Sequence, residues 1–339
     1  MKAESKMHSG WDLQAFQQMH LSFAASRILS AALQLQVFSH IAAGHRTAAA
    51  IARAAGACER GMTMLLDALT SLGLLEKKKG EYILLKFSRQ YLVRDSPEYV
   101  GSIMENDTLW NAWGQLAECV RTGKPFTQVN QQNRAEAFFP VLIRTLHITG
   151  RESAQRLARA LGAGAEHRGL RVLDVACGSG VWGIAVAEAD AAARLTAQDF
   201  PAVLDHTRRF LEQHGIAGRY DFLPGDLKQV AYGKARYDLA LLGNIVHSEG
   251  ESASRALFRN LHAALRPGGR IVVIDMVPND GRTGPFFPLM FALNMLVNTD
   301  AGGVYTLAEY SQWLRDAGFD RIETLDIASH SPAIVAAKA

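Results

Sequence analysis

The fold of this chain is decided by the stretch Arg171-Val-Leu-Asp-Val-Ala-Cys-Gly-Ser-Gly-Val-Trp-Gly183. The apolar run that ends at Asp174 predicts the end of a buried parallel strand, and Gly178-Ser-Gly180 predicts a sharp turn. The apolar residues after the turn predict a helix that ends near Asp190. Strand, glycine turn and helix form the first unit of a doubly wound α/β sheet. Ligands bind in such a turn, because the backbone comes close and the helix N-terminus offers free N–H groups.

Two acidic residues indicate which ligand this turn binds. Gly178-x-Gly180-x-x-Gly183 matches a dinucleotide pattern, but that match alone is weak. Asp174 stands at the strand end, where a carboxylate repels pyrophosphate and suits an ammonium group. Asp199 closes the next strand, where a carboxylate accepts hydrogen bonds from two ribose hydroxyls. The pattern therefore favours S-adenosylmethionine, which carries an ammonium and a sulfonium group.

Length and composition set the broad class of the chain. Its 339 residues predict two domains, and a hydrophobic content of 48% is ordinary for a globular protein. A net charge of +3 is too small to indicate nucleic-acid or membrane binding. Three cysteines without metal spacing, no signal peptide and no span-length apolar run predict a cytoplasmic protein.

The N-terminal third predicts a winged helix. Residues 11–43 are predicted to form a long apolar helix, followed by helices over 48–55 and 60–72 and by a hairpin over 74–85. The second helix would be the recognition helix of a DNA-binding protein and should then display Arg, Lys, Asn or Gln. Its outer face carries Arg60, Thr63, Asp67, Thr70 and Ser71. A packing or dimerisation role is therefore favoured over DNA contact.

Helices and then alternating strands and helices are predicted for the rest of the chain. Residues 102–121 and 134–161 are predicted to be helical, with a break at Gly123-Lys-Pro125. Strands are predicted over 171–175, 194–198, 219–223, 237–242, 269–275, 320–327 and 332–338, and helices over 181–189, 201–214, 251–265, 285–297 and 307–317. The link Ser329-His-Ser-Pro332 is short enough only for a hairpin. Seven strands with one antiparallel edge hairpin predict an α/β Rossmann-like methyltransferase sheet.

Three parts of the chain follow from this pattern. Residues 1–97 are predicted to form a helical and winged-helix dimerisation domain, and residues 98–165 connecting helices that contribute to a substrate cleft. Residues 166–339 are predicted to form the domain that binds S-adenosylmethionine.

Five motifs make the chain similar to a known family. They are Leu173-Asp-Val-Ala-Cys-Gly-Ser-Gly180, Gln198-Asp-Phe-Pro201, Gly225-Asp-Leu227, Asn244-Ile-Val-His247 and Leu265-Arg-Pro-Gly-Gly-Arg-Ile271. With them the chain resembles the small-molecule O-methyltransferases of the caffeic acid, hydroxyindole and bacterial polyketide type. The resemblance implies a homodimer, S-adenosylmethionine as methyl donor, S-adenosylhomocysteine as product and a role in secondary metabolism.

The resemblance also implies cofactor-binding residues. Gly178 would lie against the methionine part of the cofactor, Asp199 would hold the ribose, and Asp226 would take the adenine amino group. Leu227 would pack on the adenine ring. The whole implied set comprises Asp174, Gly178, Gly180, Asp199, Phe200, Asp226, Leu227 and Asn244.

A histidine and an acid occupy the catalytic positions of the family. His247 falls where the family has its general base, and Asp275 falls where it has a glutamate that orients that histidine. An imidazole can accept a hydroxyl proton near neutral pH. The resemblance therefore implies a histidine-assisted methyl transfer to a hydroxyl group.

Three positions depart from the family pattern. Ser248-Glu249 replaces an Asp-Trp pair, and Gly243 replaces a lysine four residues before the histidine. Val304 or Tyr305 stands where the family has a second acid. One of the two acidic partners of the histidine is therefore missing.

The methyl acceptor is expected to lie against apolar helices. Candidate substrate-binding residues are Phe139, Leu142, His147, Phe287, Met290, Phe291 and Asn294, although core packing is an alternative for those on the helix at 285–297. The family acts on aromatic or polycyclic hydroxyl compounds. Asp199, Asp226 and Asp275 are far apart in sequence, so no metal is expected.

Two other functions remain compatible with the sequence. One is a cofactor-binding relative that methylates carbon or nitrogen or catalyses a reaction other than methyl transfer. The other is a winged-helix regulator that senses a small molecule. For the leading hypothesis the partners are a small-molecule acceptor and a second copy of the chain, without nucleic acid or membrane.

Overall fold

The computed structural model describes residues 11–105, 107–127 and 132–339, with the backbone alone for residues 132–141. The chain separates into one unit that ends at Trp110 and a second that begins at Asn111.

Three helices open the N-terminal unit: α1 (Leu13–Leu21), α2 (Phe23–Gln34) and α3 (Val37–Ala42). The prediction of one long helix over residues 11–43 is therefore wrong. The first break falls at Ser22, and the second at Leu35 and Gln36, where Gln36 has a left-handed φ of 51°. An L-residue in this conformation cannot continue a right-handed helix.

The predicted helix, helix, hairpin pattern follows. It consists of α4 (Ala48–Ala54), α5 (Glu59–Ser71), β1 (Leu75–Lys78) and β2 (Glu81–Leu84), and α6 (Lys86–Tyr91) comes next. Thr47 caps α4, since its Oγ1 accepts the Ala50 N–H at 3.2 Å. The buried side chains of this unit include Leu33, Phe38, Ile51, Met62, Leu66, Leu69 and Tyr82.

The connecting region is more broken than predicted. A 3₁₀ turn at Gly101–Met104 and the helices α7 (Thr108–Gly114) and α8 (Leu116–Thr122) replace the single helix expected over residues 102–121. The expected break is confirmed at Gly123, whose φ of 66° ends α8. The long helix α9 (Gln132–Ala160) then leads to the sheet.

A seven-stranded sheet forms the centre of the described C-terminal unit. Its strands are β3 (Arg171–Val175), β4 (Arg194–Asp199), β5 (Tyr220–Pro224), β6 (Tyr237–Gly243), β7 (Leu265–Ile274), β8 (Phe319–Leu325) and β9 (Ala333–Lys338). Their spatial order is β5-β4-β3-β6-β7-β9-β8. Strands β3 to β7 are parallel, and β9 is antiparallel to both β7 and β8. The predicted sheet and its edge hairpin are confirmed.

Helices cover both faces of this sheet. The apolar cluster on one face includes residues of α10 (Val181–Ala189) and α11 (Pro201–Gln213), and the cluster on the other face includes residues of α12 (Val246–Glu249), α13 (Glu251–Ala264) and α15 (Leu307–Asp316). A further helix, α14 (Phe286–Asn298), lies between β7 and α15 in the chain. Neighbouring strand residues point to opposite faces: Val172 packs in one apolar cluster and Leu173 in the other. Burial on both faces explains the uninterrupted apolar runs Leu239-Ala-Leu-Leu242 in β6 and Ile271-Val-Val-Ile274 in β7.

The parallel strands bring their carboxyl ends to one edge of the sheet. The segments after β3, β4, β5, β6 and β7 meet there, and four of the five family motifs stand at this edge, whereas the motif at residues 265–271 lies within β7. In open α/β sheets this edge is where ligands bind.

Candidate functional site

The turn after β3 is built from residues in left-handed conformations. Ala176, Gly178 and Gly180 have φ of 50°, 56° and 75°. Glycine adopts this conformation freely, whereas an alanine is strained there. Among the described residues, a Cβ added to Gly178 would meet only the Ile143 side chain, at 3.9 Å. The backbone at Gly178 is therefore open to a ligand.

Two buried polar residues, whose roles the sequence patterns did not indicate, hold this turn. The Gln198 side chain accepts the Ala176 N–H at 3.2 Å and donates to the Gly225 carbonyl at 2.7 Å. It thus joins the segments that follow β3 and β5. The Thr207 hydroxyl of α11 donates to the Gly178 carbonyl at 2.6 Å. The available signal was a glutamine in an apolar strand, directly before Asp199.

Asp199 lies beside the turn at the end of β4. Its Oδ2 accepts the Gly178 N–H at 2.9 Å, and its Oδ1 accepts the Phe200 N–H at 2.8 Å. Burial raises the pKa of this carboxyl to about 6, while the two backbone donors act in the opposite direction. A carboxylate has about four acceptor positions, so two remain for a ligand.

Asp174, at the end of β3, holds the start of α10 by a hydrogen bond. Its Oδ2 accepts the N–H of Gly183 in the first turn of α10 at 3.1 Å, and a Cβ on Gly183 would lie 2.7 Å from that oxygen. The third glycine of the motif is thus required for close packing. Burial raises the pKa of Asp174 to about 8, with the charge of Asp199 adding to the effect and the Gly183 N–H opposing it. Among the described residues, its Oδ1 has no hydrogen-bond partner.

The remaining predicted cofactor residues lie at the same edge of the sheet. Phe200 precedes α11, and Asp226 and Leu227 follow β5. The Asp226 carboxylate accepts the N–H of Lys228 at 2.9 Å, and Leu227 is buried in the core. Asn244 follows β6 and has a left-handed φ of 58°.

His247 and Asp275 form a buried pair at this edge. They follow β6 and β7, which are parallel neighbours. The His247 Nδ1 lies 2.6 Å from Asp275 Oδ1, and the His247 N–H donates to Asp275 Oδ2 at 3.0 Å. Only 10% of the histidine side chain and none of the aspartate side chain is exposed. Because a carboxylate only accepts, the proton belongs on Nδ1, and Nε2 keeps a lone pair that no described group occupies.

The segment 299–306 holds the backbone of His247. The Gly303 N–H donates to the His247 carbonyl at 2.8 Å. A Cβ on Gly302 would lie 2.5 Å from that carbonyl oxygen and 2.4 Å from the Thr299 Oγ1, so only glycine fits. Val304, one of the two residues expected at the position of the missing second acid, is buried.

The other two departures from the family pattern, Gly243 and Ser248-Glu249, are explained by neighbouring side chains. A Cβ on Gly243 would lie 2.2 Å from Nε1 of the buried Trp182, so the indole leaves no room for a side chain. Glu249 is nearly buried and lies 3.1 Å from the Lys228 Nζ. This ion pair joins the segment after β6 to the segment after β5, next to a cleft of about 420 Å³ that Leu227 helps to line.

Aromatic rings of α14 lie next to the histidine. The Phe291 ring is 4.9 Å from the His247 ring at an angle of 80°. Phe287 stacks on Phe291 at 6.2 Å and on His330 at 3.8 Å. The structure therefore brings two of the predicted substrate residues to the predicted base, and it adds His330.

For the other predicted substrate residues of this unit, the structure gives no ring contact with His247. Met290 and Leu142 are half-buried on α14 and α9. Asn294 accepts the indole N–H of Trp113 at 3.2 Å, which ties α14 to α7. The side chain of Phe139 lies outside the described residues.

His147 contacts the glycine turn. Its Nδ1 lies 3.1 Å from the Ser179 Oγ, and its ring stacks on Phe210 at 4.3 Å. Burial lowers the pKa of this histidine to about 4, and the charges of His214 and Arg151 add to the effect. The ring is therefore neutral near pH 7 and packs α9 against α11.

The described residues contain no group of three or more His, Cys, Asp or Glu side chains placed to hold a metal ion. In the same part of the chain, no helix is both long and apolar enough to cross a membrane.

Comparisons with known proteins agree with this geometry. A family model described as an O-methyltransferase domain matches residues 141–320, and one described as an O-methyltransferase dimerisation domain matches residues 17–94. The chain is 31% identical to 3-hydroxy-5-methyl-1-naphthoate 3-O-methyltransferase of Streptomyces sahachiroi, over 90% of this chain and 88% of that protein.

Two solved structures are similar over nearly the whole chain. One is PigF, a Serratia protein, with SAH: its TM-score is 0.86 at 26% identity, covering 97% of this chain and 100% of that one. The other is human N-acetylserotonin methyltransferase in complex with SAM, with a TM-score of 0.82 at 25% identity over 98% of this chain and 99% of that one.

Proposed function

This chain belongs to the O-methyltransferase family that carries an N-terminal dimerisation domain, and from that membership we propose that it methylates a hydroxyl group of a small aromatic molecule with His247 as general base. The observation that carries the proposal is the buried His247–Asp275 pair, whose Nδ1–Oδ1 distance is 2.6 Å. This pair lies at the same sheet edge as the glycine turn and beside the rings of α14.

The turn and its acids fit S-adenosylmethionine. Gly178 is open to close approach, and Asp199 keeps two acceptor positions for the ribose hydroxyls. The buried Oδ1 of Asp174 has no described partner, which suits an approaching ammonium group. The Tyr220 hydroxyl also has no described hydrogen-bond partner and lies near the Asp174 side chain. It is therefore a second candidate to bind the Asp174 carboxylate, in competition with the ammonium group. When bound, the cofactor supplies a methyl group on a sulfonium, whose sulfur departs as a neutral thioether.

The base role follows from the tautomer that Asp275 enforces. The Asp275 carboxylate holds the proton on Nδ1, so Nε2 is free to accept the proton of an acceptor hydroxyl. The buried carboxylate then offsets the positive charge that develops on the imidazole. Since the methyl donor already carries an excellent leaving group, the remaining contribution of the chain is to position the two reactants.

The rings of α14 support an aromatic acceptor. Phe291 meets the His247 ring edge-on, and Phe287 extends the apolar surface. Aromatic surfaces of this kind bind flat apolar ligands and exclude water. The named relatives act on a naphthoate and on N-acetylserotonin, which are both aromatic.

A labelled-methyl experiment tests the proposed function. The purified protein is incubated with S-adenosylmethionine that carries a ¹³C-methyl group and with a panel of phenols and naphthols. We expect a product with one added methyl group, whose ¹³C chemical shift is that of a methoxy carbon. A label on carbon or nitrogen, or no transfer to any hydroxyl compound, would support the alternative chemistry instead.

The N-terminal unit supports a homodimer. Apolar residues of α1 are more than half exposed, among them Leu13, Phe16 and Met19. A second copy of the chain is the partner that a dimerisation domain implies. We therefore assign this surface to the dimer interface.

A further inference from the structure

Trp182 stands in the first turn of α10, directly after the glycine turn. Its side chain extends to the end of β6: a Cβ added to Gly243 would lie 2.2 Å from the indole nitrogen and 2.3 Å from Cδ1. Strand β6 is the parallel neighbour of β3, and its Leu242 is paired with Val175, the last residue of β3. The indole nitrogen therefore lies at the ligand-binding edge of the sheet, close to the glycine turn.

Among the described residues, no group accepts the N–H of the Trp182 indole. Only 6% of the residue is exposed, and its nitrogen is not one of the fully enclosed polar atoms without a partner. The nitrogen therefore belongs to the small exposed part of an otherwise buried ring. Because packing already fixes the ring, a ligand can bind this donor without the entropy cost of immobilising a mobile side chain.

Backbone donors stand at the same end of α10. The helix follows Gly180, and no described side chain caps it. The N–H groups of Val181 and Trp182 have no intrahelical partner, as in any first helical turn, whereas the N–H of Gly183 donates to Asp174. A helix N-terminus favours a negatively charged group. Since side chains of a helix lean toward its N-terminus, the indole adds a donor to this end, which is thus suited to a carboxylate.

We propose that the indole N–H of Trp182 donates to the carboxylate of the methyl donor and so positions its methionine part in the turn. This carboxylate is the only anionic group of S-adenosylmethionine, and an indole nitrogen can only donate. Trp182 then binds the carboxylate, while Asp174 binds the ammonium group. The inference rests on the proposed place of the cofactor in the glycine turn and is independent of the role of His247.

Gly243 sets the position of the indole. Its backbone is not in the left-handed region, so an alanine could adopt the same conformation. The space, however, is taken, because the added Cβ would overlap the indole nitrogen at 2.2 Å. A side chain at this position, including the lysine of the family, would displace the indole from the end of β6. The glycine thus keeps the place of the N–H open.

The affinities of two ligands test the inference. Calorimetry compares S-adenosylhomocysteine with its decarboxylated analogue, in which hydrogen replaces the carboxylate. In Trp182→Phe we expect S-adenosylhomocysteine to bind at least about tenfold more weakly and the analogue to change by less than about twofold, because only the former loses a hydrogen bond to a charged acceptor. Trp313→Phe, which replaces a tryptophan of similar burial in α15, should leave both affinities unchanged.

Two further variants separate the N–H from the packing of the ring. Replacement of Trp182 by β-(3-benzothienyl)alanine exchanges the N–H for sulfur at almost constant size and should give the same selective loss. In Gly243→Ala the new Cβ displaces the indole, so this variant should also weaken S-adenosylhomocysteine more than the analogue. Equal losses for both ligands in the Trp182 variants, or no loss for either, would overturn the inference.

Asp199→Ala distinguishes a failure of this inference from a failure of the proposed cofactor site. Both ligands carry the ribose, so this variant should weaken both to the same degree. If it weakens neither, the cofactor does not lie in the glycine turn as proposed. If it weakens both while the Trp182 variants do not discriminate between the ligands, the cofactor site stands and the role of the indole is refuted.

Discussion

At the scale of single residues, the site depends on acids whose roles differ with their surroundings. Asp199 has two oxygens partly free at the turn, whereas Asp174 is completely buried and holds the first turn of α10. The sequence showed both acids at strand ends. It did not show that one of them supports the helix, because a single sequence carries no information on the direction of a side chain within a turn.

The Asp199 assignment predicts a pH-dependent affinity for the cofactor product. Burial raises the pKa of this carboxyl to about 6, and only the ionised form accepts both ribose hydroxyls well. Calorimetry should therefore show that S-adenosylhomocysteine binds more weakly as the pH falls below about 6, by up to about tenfold per pH unit.

The variant Asp199→Ala should bind S-adenosylhomocysteine about 10- to 100-fold more weakly at pH 7.5, because hydrogen bonds to a charged acceptor are worth about 1.5–3 kcal/mol. Asp221→Ala, which removes an exposed acid from the neighbouring strand β5, is the matched control. Equal affinities of wild type and Asp199→Ala would remove Asp199 from the site.

At the scale of elements, the strands were predicted more accurately than the N-terminal helices. Short apolar runs that end at Gly or Asp mark β6 and β7 most clearly, namely Leu239-Ala-Leu-Leu242 and Ile271-Val-Val-Ile274. The breaks in the region 11–43 fall at Ser22 and Gln36, which are not helix-breaking residue types. Tertiary packing decides such breaks, so periodicity alone could not locate them.

The contact between the segment 299–306 and α12 predicts that one methyl group added at Gly302 lowers the rate of methyl transfer. In Gly302→Ala the new Cβ would lie 2.5 Å from the His247 carbonyl, so the segment has to move away. Methyl transfer should fall by at least about tenfold, since displacement of a catalytic group by even 1 Å is costly. Affinity for S-adenosylhomocysteine should remain close to that of the wild type.

The neighbouring variant Gly303→Ala serves as the control for that experiment. Its Cβ meets the Tyr305 hydroxyl only at 3.8 Å, and the N–H that donates to His247 is retained. Equal activities of the two glycine variants would show that the segment does not position the histidine.

At the scale of the whole molecule, the family and the sheet were predictable because their motifs are local. Four of the five motifs stand at the carboxyl ends of β3 to β6, where the parallel topology brings them together, and the fifth, at residues 265–271, forms the first part of β7. The roles of Gln198 and Thr207 were missed, since each acts through a contact between residues far apart in sequence. The fit of Gly243 to Trp182 was missed for the same reason.

The exposed apolar face of α1 predicts a dimer. Sedimentation of the wild-type protein should give twice the chain mass of 37.0 kDa. The double variant Leu13→Asp, Phe16→Asp should dissociate, because charges at these positions would be buried without partners. Val120→Asp, which places a charge at an exposed apolar position of the other unit, should remain dimeric. A monomeric wild type would refute the interface.

The most direct test of the central claim is the single-turnover rate of methyl transfer in His247→Ala, measured with an acceptor whose hydroxyl is not ionised at the assay pH. We expect a fall of about 10²- to 10⁴-fold with unchanged affinity for S-adenosylhomocysteine. His262→Ala, which removes a half-buried histidine that packs on Phe319, should keep the wild-type rate. A near-normal rate in His247→Ala with this acceptor would contradict the account.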